Sequence, residues 1–270
     1  MRIVWVFLLG LISQLAFGAP KSEYWDYFDH FQPASLVQIN HSSWDAWLKK
    51  YLIRDASGTV RVRYAEVTDE DRNRLDVYIG MLTGTDPRRL SRDDAQAYWI
   101  NLYNALTVQL ILNNYPLESI TKLGKGWFSF GPWDDPVTRV AGQTLTLNDI
   151  EHRILRPLWK DYRIHYAVNC ASVGCPNLKP EAWEGSRIDA QLASAEADFL
   201  ALPKSARREG DNWILSSIYD WYAEDFGGKA GVIRHLSLKR PGDAASLEDA
   251  ARQGNIRYDY DWSLNEWPVR

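Results

Sequence analysis

Ala95-Gln96-Ala97-Tyr98-Trp99-Ile100-Asn101-Leu102-Tyr103-Asn104-Ala105-Leu106-Thr107-Val108-Gln109-Leu110-Ile111-Leu112 is apolar on almost every face of a helical wheel. A helix of that kind is buried all round rather than laid on a surface. The stretch therefore predicts a central helix, Ala95 to Tyr115, with the rest of the chain wrapped about it. Its start is marked by Ser91 and Asp94, which stand at capping-box spacing with Asp in place of Glu. Asn101 and Asn104 interrupt the apolar pattern, three positions apart on one face. A buried amide without a partner costs on the order of 1–3 kcal/mol. Both must be hydrogen-bonded, either to the backbone of a neighbouring loop or to a reactive group that they orient.

Outward from this helix, apolar periodicity predicts further helices at Ser43 to Leu52, Thr68 to Leu82, Ser186 to Ala201, Ser217 to Phe226 and Gly231 to Leu238. Strands are expected at Thr59 to Tyr64, at Trp213 to Ser216, and in a hairpin over Val137 to Leu147 that turns at Ala141-Gly142-Gln143. The run Ile164 to Asn169 reads as a buried strand. Asn148 and Glu151 stand at capping-box spacing for a helix over Asp149 to Leu155, which Pro157 should end. Helices and strands mix without regular βαβ alternation, and no repeat or linker is visible. The expected class is α+β, a single domain with a central buried helix packed with further helices against a small mixed β-sheet that carries Ile164 to Asn169.

Arg2, the apolar run from Ile3 to Phe17 and Gly18-Ala19-Pro20 have the layout of a secretory signal peptide. Residues 1–18 are expected to be removed, leaving 19–270 as one globular domain in the periplasm or outside the cell. The run is shorter than the roughly 20 apolar residues of a membrane span, so no membrane attachment is expected after cleavage. Formal net charge is −4, from 31 basic and 35 acidic residues, which gives no footprint for nucleic acid or an anionic surface. The 13 Trp and 14 Tyr are spread along the whole chain. Rings so distributed serve core and rim packing before they serve a ligand platform.

Both cysteines lie in Arg163-Ile164-His165-Tyr166-Ala167-Val168-Asn169-Cys170-Ala171-Ser172-Val173-Gly174-Cys175-Pro176. In an exported chain two cysteines usually pair, and Gly174 allows a tight enough loop for a Cys170–Cys175 disulfide. The other reading makes Cys170 a nucleophile, which needs a base to lower its pKa and a group to orient that base. On a strand, odd spacing sends His165 and Asn169 to one face and Cys170 to the other. His152, from a different element, is then the better base, with Glu151 beside it. A redox pair would favour Cys-x-x-Cys spacing. Zinc would favour His or Cys pairs at ligand spacing, which His152, His165, Cys170 and Cys175 do not show. No metal or cofactor is expected.

Five ordered segments carry a family resemblance. They are Ala97 to Leu106, Ile150 to Pro157, His165 to Leu178, Trp221-Tyr222-Ala223-Glu224-Asp225-Phe226 and Tyr260-Asp261-Trp262-Ser263-Leu264-Asn265. Together they resemble the domain of unknown function 547 (DUF547) family over roughly Asp69 to Asn265. The resemblance implies a domain identity and no settled chemistry.

Two functional classes follow. One is a periplasmic thiol-dependent hydrolase or acyl transferase, with Cys170 as nucleophile, His152 as base, and Asn101, Asn104 or Asn169 as polar stabilisers. The other is a non-catalytic binding module with a Cys170–Cys175 disulfide. There the aromatic loop containing Trp127 and Trp133, with His165, Asn169 and Glu151 nearby, would contact a small molecule, glycan, peptide or protein.

Overall fold

The structure is a computed structural model that describes residues 20–124 and 131–268. The elements run α1 (Ser42–Tyr51), β1 (Leu52–Arg54), β2 (Val60–Val62), α2 (Asp69–Thr83), α3 (Arg92–Asn114), β3 (Thr138–Val140), β4 (Gln143–Leu145) and α4 (Arg156–Trp159). They continue with α5 (Ile188–Leu200), β5 (Ala206–Glu209), β6 (Asn212–Ser216), α6 (Ile218–Trp221), α7 (Gly228–Lys239), α8 (Ala244–Gln253) and β7 (Ile256–Asp259). β1–β2 and β3–β4 are antiparallel pairs, and β6 lies between antiparallel β5 and parallel β7. The class is α+β.

α3 is the axis of the core. The Ser91 hydroxyl accepts the Asp94 N–H at 3.1 Å and donates back to the Asp94 carboxylate at 2.6 Å, which satisfies a donor that the helix start would otherwise orphan. Every residue from Ala95 to Val108 is buried. The aromatic segment before α1 closes one side, with Phe28 set edge-on against Trp99 at 5.0 Å. The hairpin between β3 and β4 turns at Ala141 and Gly142, both at positive φ, a backbone form that two-residue hairpins favour.

The run Ile164 to Asn169 is not a strand. The Asp161 side chain caps a 3-10 helix over Tyr162–Tyr166 by accepting the Arg163 N–H at 2.9 Å. The chain then turns tightly, with Ala171 at φ 59°. The run is apolar because it is enclosed on all sides, and a short fully buried run does not reveal its period. The mixed sheet is built from β5, β6 and β7 instead. α8 and the pairing of β7 with β6 were not foreseen.

The helix after β4 also starts differently. Thr146 and Asp149 form its reciprocal cap: the Thr146 hydroxyl accepts the Asp149 N–H, and the Asp149 carboxylate accepts the Thr146 N–H. Asn148 caps nothing and donates to Asp134. Glu151 is thereby released from the capping role and points inward, 5 % exposed. Residues Asp149–Leu155 are wound as a π-helix that runs straight into α4, so Pro157 sits inside a continuous helix. In a π-helix the donor missing at Pro157 would have gone to residue 152. The His152 carbonyl instead accepts the Glu23 N–H at 2.9 Å, which pins the N-terminal segment here.

The tail laces the molecule together. Ala171 and Val62 carbonyls accept from Asn265 and Trp267, while Asn265, Ser263 and Asp261 carbonyls accept from Val62, Val173 and Gly174.

Candidate functional site

Three structural units meet around the π-helix: the π-helix itself, the 3-10 helix and turn from Tyr162 to Pro176, and the segment that follows α6. Cys170 and Cys175 are joined as a disulfide, Cα–Cα 6.3 Å. Sulfur–hydroxyl contacts surround it. Cys170 Sγ lies 3.2 Å from the Tyr260 hydroxyl and 3.3 Å from that of Ser172, and Tyr260 also donates to Cys175 Sγ at 3.1 Å. Lys204 Nζ donates to the Val173 and Cys175 carbonyls from below. No imidazole hydrogen-bonds to Cys170 among the described residues.

Beside this loop is a buried acid–imidazole cluster. His165, 2 % exposed, donates from Nε2 to Asp225 Oδ2 at 2.7 Å and stacks on Tyr222, ring centres 3.8 Å apart. Its Nδ1 has no hydrogen-bond partner and faces Glu151 Oε1 at 3.8 Å. Arg156 grips Asp225 through Nε at 2.7 Å and a second nitrogen at 3.1 Å. It also donates to the Pro20 carbonyl and to His152 Nδ1. The Tyr103 and Tyr222 hydroxyls lie close enough to Glu151 to be pushed up by its charge, after burial itself.

The charges are set by these partners. Burial pushes the Asp225 carboxyl up, but the hydrogen bonds from His165 and Arg156 outweigh it and hold it far below the usual carboxylate range. Burial pushes Glu151 up as well. The neighbouring imidazoles, the Tyr222 hydroxyl and Arg156 reverse the sign and keep it ionised. His152 is pulled down to about 4, by burial first, against Glu151 and with help from the Arg156 cation. Its Nδ1 accepts from Arg156, which places the proton of the neutral ring on Nε2.

Beside the disulfide lie half-buried rings: Trp221 on Tyr260 at 4.8 Å, Tyr260 on Trp262 at 4.6 Å, and Trp262 on Trp133 at 5.7 Å. Trp133 also lies near the Tyr103 hydroxyl. Trp127 lies outside the described residues.

The two asparagines of α3 part company. Asn104 donates to the Ala167 carbonyl at 2.9 Å and accepts the Asn169 N–H at 2.8 Å. Asn101 makes the same paired contact with Trp183, N–H and carbonyl both, one turn earlier on the helix. Asn101 also approaches His41, which lines a separate cleft of about 500 Å3 with Asp93, Asp94 and Glu184. The Asn169 side chain holds its own loop together, donating to the Pro176 carbonyl and accepting from the Ala171 N–H, and it also accepts from the Asn265 side chain.

Of the residues singled out in the sequence, Glu151, His152, His165, Asn104, Asn169, Cys170 and Trp133 gather here, and Asn101 does not. Asp225, Arg156, Tyr103, Tyr222 and Tyr260 were missed as site residues, although Arg156, Tyr103, Tyr222, Asp225 and Tyr260 all lie within the segments that carry the resemblance. The described residues contain no cluster of three or more His, Cys, Asp or Glu arranged to hold a metal, and no helix among them is long and apolar enough to cross a membrane.

Fold and site together define an α+β domain with a disulfide-closed loop against a buried acid–imidazole cluster. Residues 87–200 match the family described as "Protein of unknown function, DUF547". That segment holds α3, the π-helix, the disulfide loop and α5, whereas Asp225, Tyr260 and Trp262 lie beyond it. No curated protein and no solved structure matches the chain.

Proposed function

We propose that this DUF547-like chain is an exported, non-catalytic binding module that works in the oxidised state. Its ligand surface is the half-buried ring cluster of Trp133, Trp221, Tyr260 and Trp262. The observation that carries the reading is the Cys170–Cys175 disulfide beneath those rings. Both sulfurs are consumed, and their neighbours are hydroxyls rather than a base. Contiguous rings that are partly wet suit the faces of a glycan or the side chains of a peptide.

A thiol-dependent hydrolase with Cys170 as nucleophile and His152 as base is the second reading. The partial exposure of Cys170 favours it, and it requires reduction first. A thiol count on the denatured protein, before and after reduction, tests both. The binding reading expects none and then two, with ligand-induced changes in Trp fluorescence lost in Trp221→Ala and kept in Cys170→Ser. Two thiols before reduction, together with turnover that Cys170→Ser abolishes, would overturn it.

A further inference from the structure

Away from the ring cluster, a second group of side chains is arranged for a covalent reaction. Asn177 and Lys204 sit where the disulfide loop meets the β1–β2 hairpin and the turn after α5. Lys204 Nζ lies 3.2 Å from the Asn177 side-chain oxygen. That oxygen also accepts the Val60 backbone N–H at 2.9 Å. The Asn177 amide nitrogen donates to Asp198 Oδ2 at 2.8 Å and to the Gly58 carbonyl at 3.0 Å. Asp198 is steadied on its other oxygen by Arg54 at 2.9 Å and stays in partial contact with solvent.

Each part answers a need of amide transfer. The amine is the nucleophile. The side-chain amide carbon is the electrophile, with both of its polar atoms fixed. The Val60 N–H is a donor aimed at the oxygen on which negative charge would develop. The Asp198 carboxylate touches the nitrogen that would leave. Lys204 Nζ, hydrogen-bonded to the Asn177 carbonyl oxygen at 3.2 Å, has only to shift from that oxygen to the adjoining carbon, and such proximity removes much of the entropic cost of bringing the two groups together. Burial, the largest influence on Lys204, pulls its ammonium down to about 8, so a share of the free amine is present near neutrality.

We propose that Lys204 and Asn177 join in an intramolecular isopeptide bond, with Asp198 relaying the proton and the Val60 N–H holding the oxyanion. Neutral Lys204 Nζ forms a bond to Asn177 Cγ, and the carbonyl electrons move to Oδ1. Asp198 takes one proton from the attacking nitrogen and delivers it to Nδ2. The carbonyl reforms, the Cγ–Nδ2 bond breaks and ammonia leaves. The products are a secondary amide and ammonia, and no oxidant or co-reactant is consumed. The bond fastens the disulfide loop to the turn before β5, where Lys204 otherwise holds the loop only by hydrogen bonds.

Intact mass spectrometry of the full chain, reduced and denatured after incubation in the folded state at pH 9, tests this. The expected mass is below that of the sequence by one ammonia, and digestion should yield a branched peptide joining Asn177 to Lys204. Lys204→Arg should restore the full mass, and Asp198→Asn should slow the loss at least tenfold. A wild-type protein that folds and keeps its full mass at pH 9 would overturn the proposal. So would a deficit that survives in Lys204→Arg, which would assign it to cyclisation of Asn177 on its own backbone.

Discussion

Asn104→Ala tests whether the α3 amide is the fastener of the site wall. The substitution removes two buried hydrogen bonds, to the Ala167 carbonyl and from the Asn169 N–H. Ala167 and Asn169 are only 5 % and 3 % exposed, so water does not replace the lost partners. Each orphaned buried group costs about 1–3 kcal/mol, giving about 2–6 kcal/mol in all. That is a large fraction of the roughly 5–15 kcal/mol that holds a domain together. Urea unfolding should show a lower midpoint with the slope unchanged. Asn104→Asp sharpens the test, because it keeps an acceptor for Asn169 while placing a carboxylate against the Ala167 carbonyl. It should lose at least as much as the alanine variant, and amide exchange at Asn169 should then stay slow. A loss below about 1 kcal/mol for Asn104→Ala, at unchanged slope, would refute the reasoning.

Acidification should weaken the fold in two stages. The His152 pKa is about 4 in the folded chain, and an unfolded histidine titrates near 6.5, so stability falls by at most roughly 3 kcal/mol as pH drops through that interval. Asp225, held low by His165 and Arg156, contributes stability that is present above about pH 4 and is lost below it. Urea midpoints at pH 7, 5.5, 4 and 3 should show the upper limb flatten in His152→Gln and the lower in Asp225→Asn; unaltered profiles would count against these assignments. Gly185→Ala should cost about 1–3 kcal/mol by overpacking, since a Cβ there meets Asp94 backbone nitrogen at 2.6 Å. A thermal melt identical to wild type would show that the α3 cap yields more easily than this packing implies.

The central helix was legible because burial on every face leaves a pattern that no surface helix has, and because Ser91 and Asp94 mark its start. The β3–β4 hairpin was legible from its Gly turn. Ile164 to Asn169 was not, since an enclosed 3-10 turn and an enclosed strand read alike. That error carried into the site. Strand alternation set His165 aside, whereas the observed turn sends it to Asp225 and toward Glu151. Glu151 itself was masked by a capping pattern two residues away from the true one at Thr146 and Asp149. Asp225 and Tyr260 were beyond local reading, because each earns its place through contacts about 60 and 90 positions distant.

The lacing of the tail has a consequence for the order of assembly. Cys170 and Cys175 leave the ribosome long before Asp261, Ser263 and Asn265 are made. Until then the Ala171 carbonyl and the Val173 and Gly174 N–H groups lack the partners that residues 261–265 supply, and Tyr260 is absent from the sulfurs. The candidate site is therefore a clasp closed by residues 260–265. A product ending ahead of Asp261 would carry the central helix and the acid–imidazole cluster, yet would leave the cysteine loop unfastened.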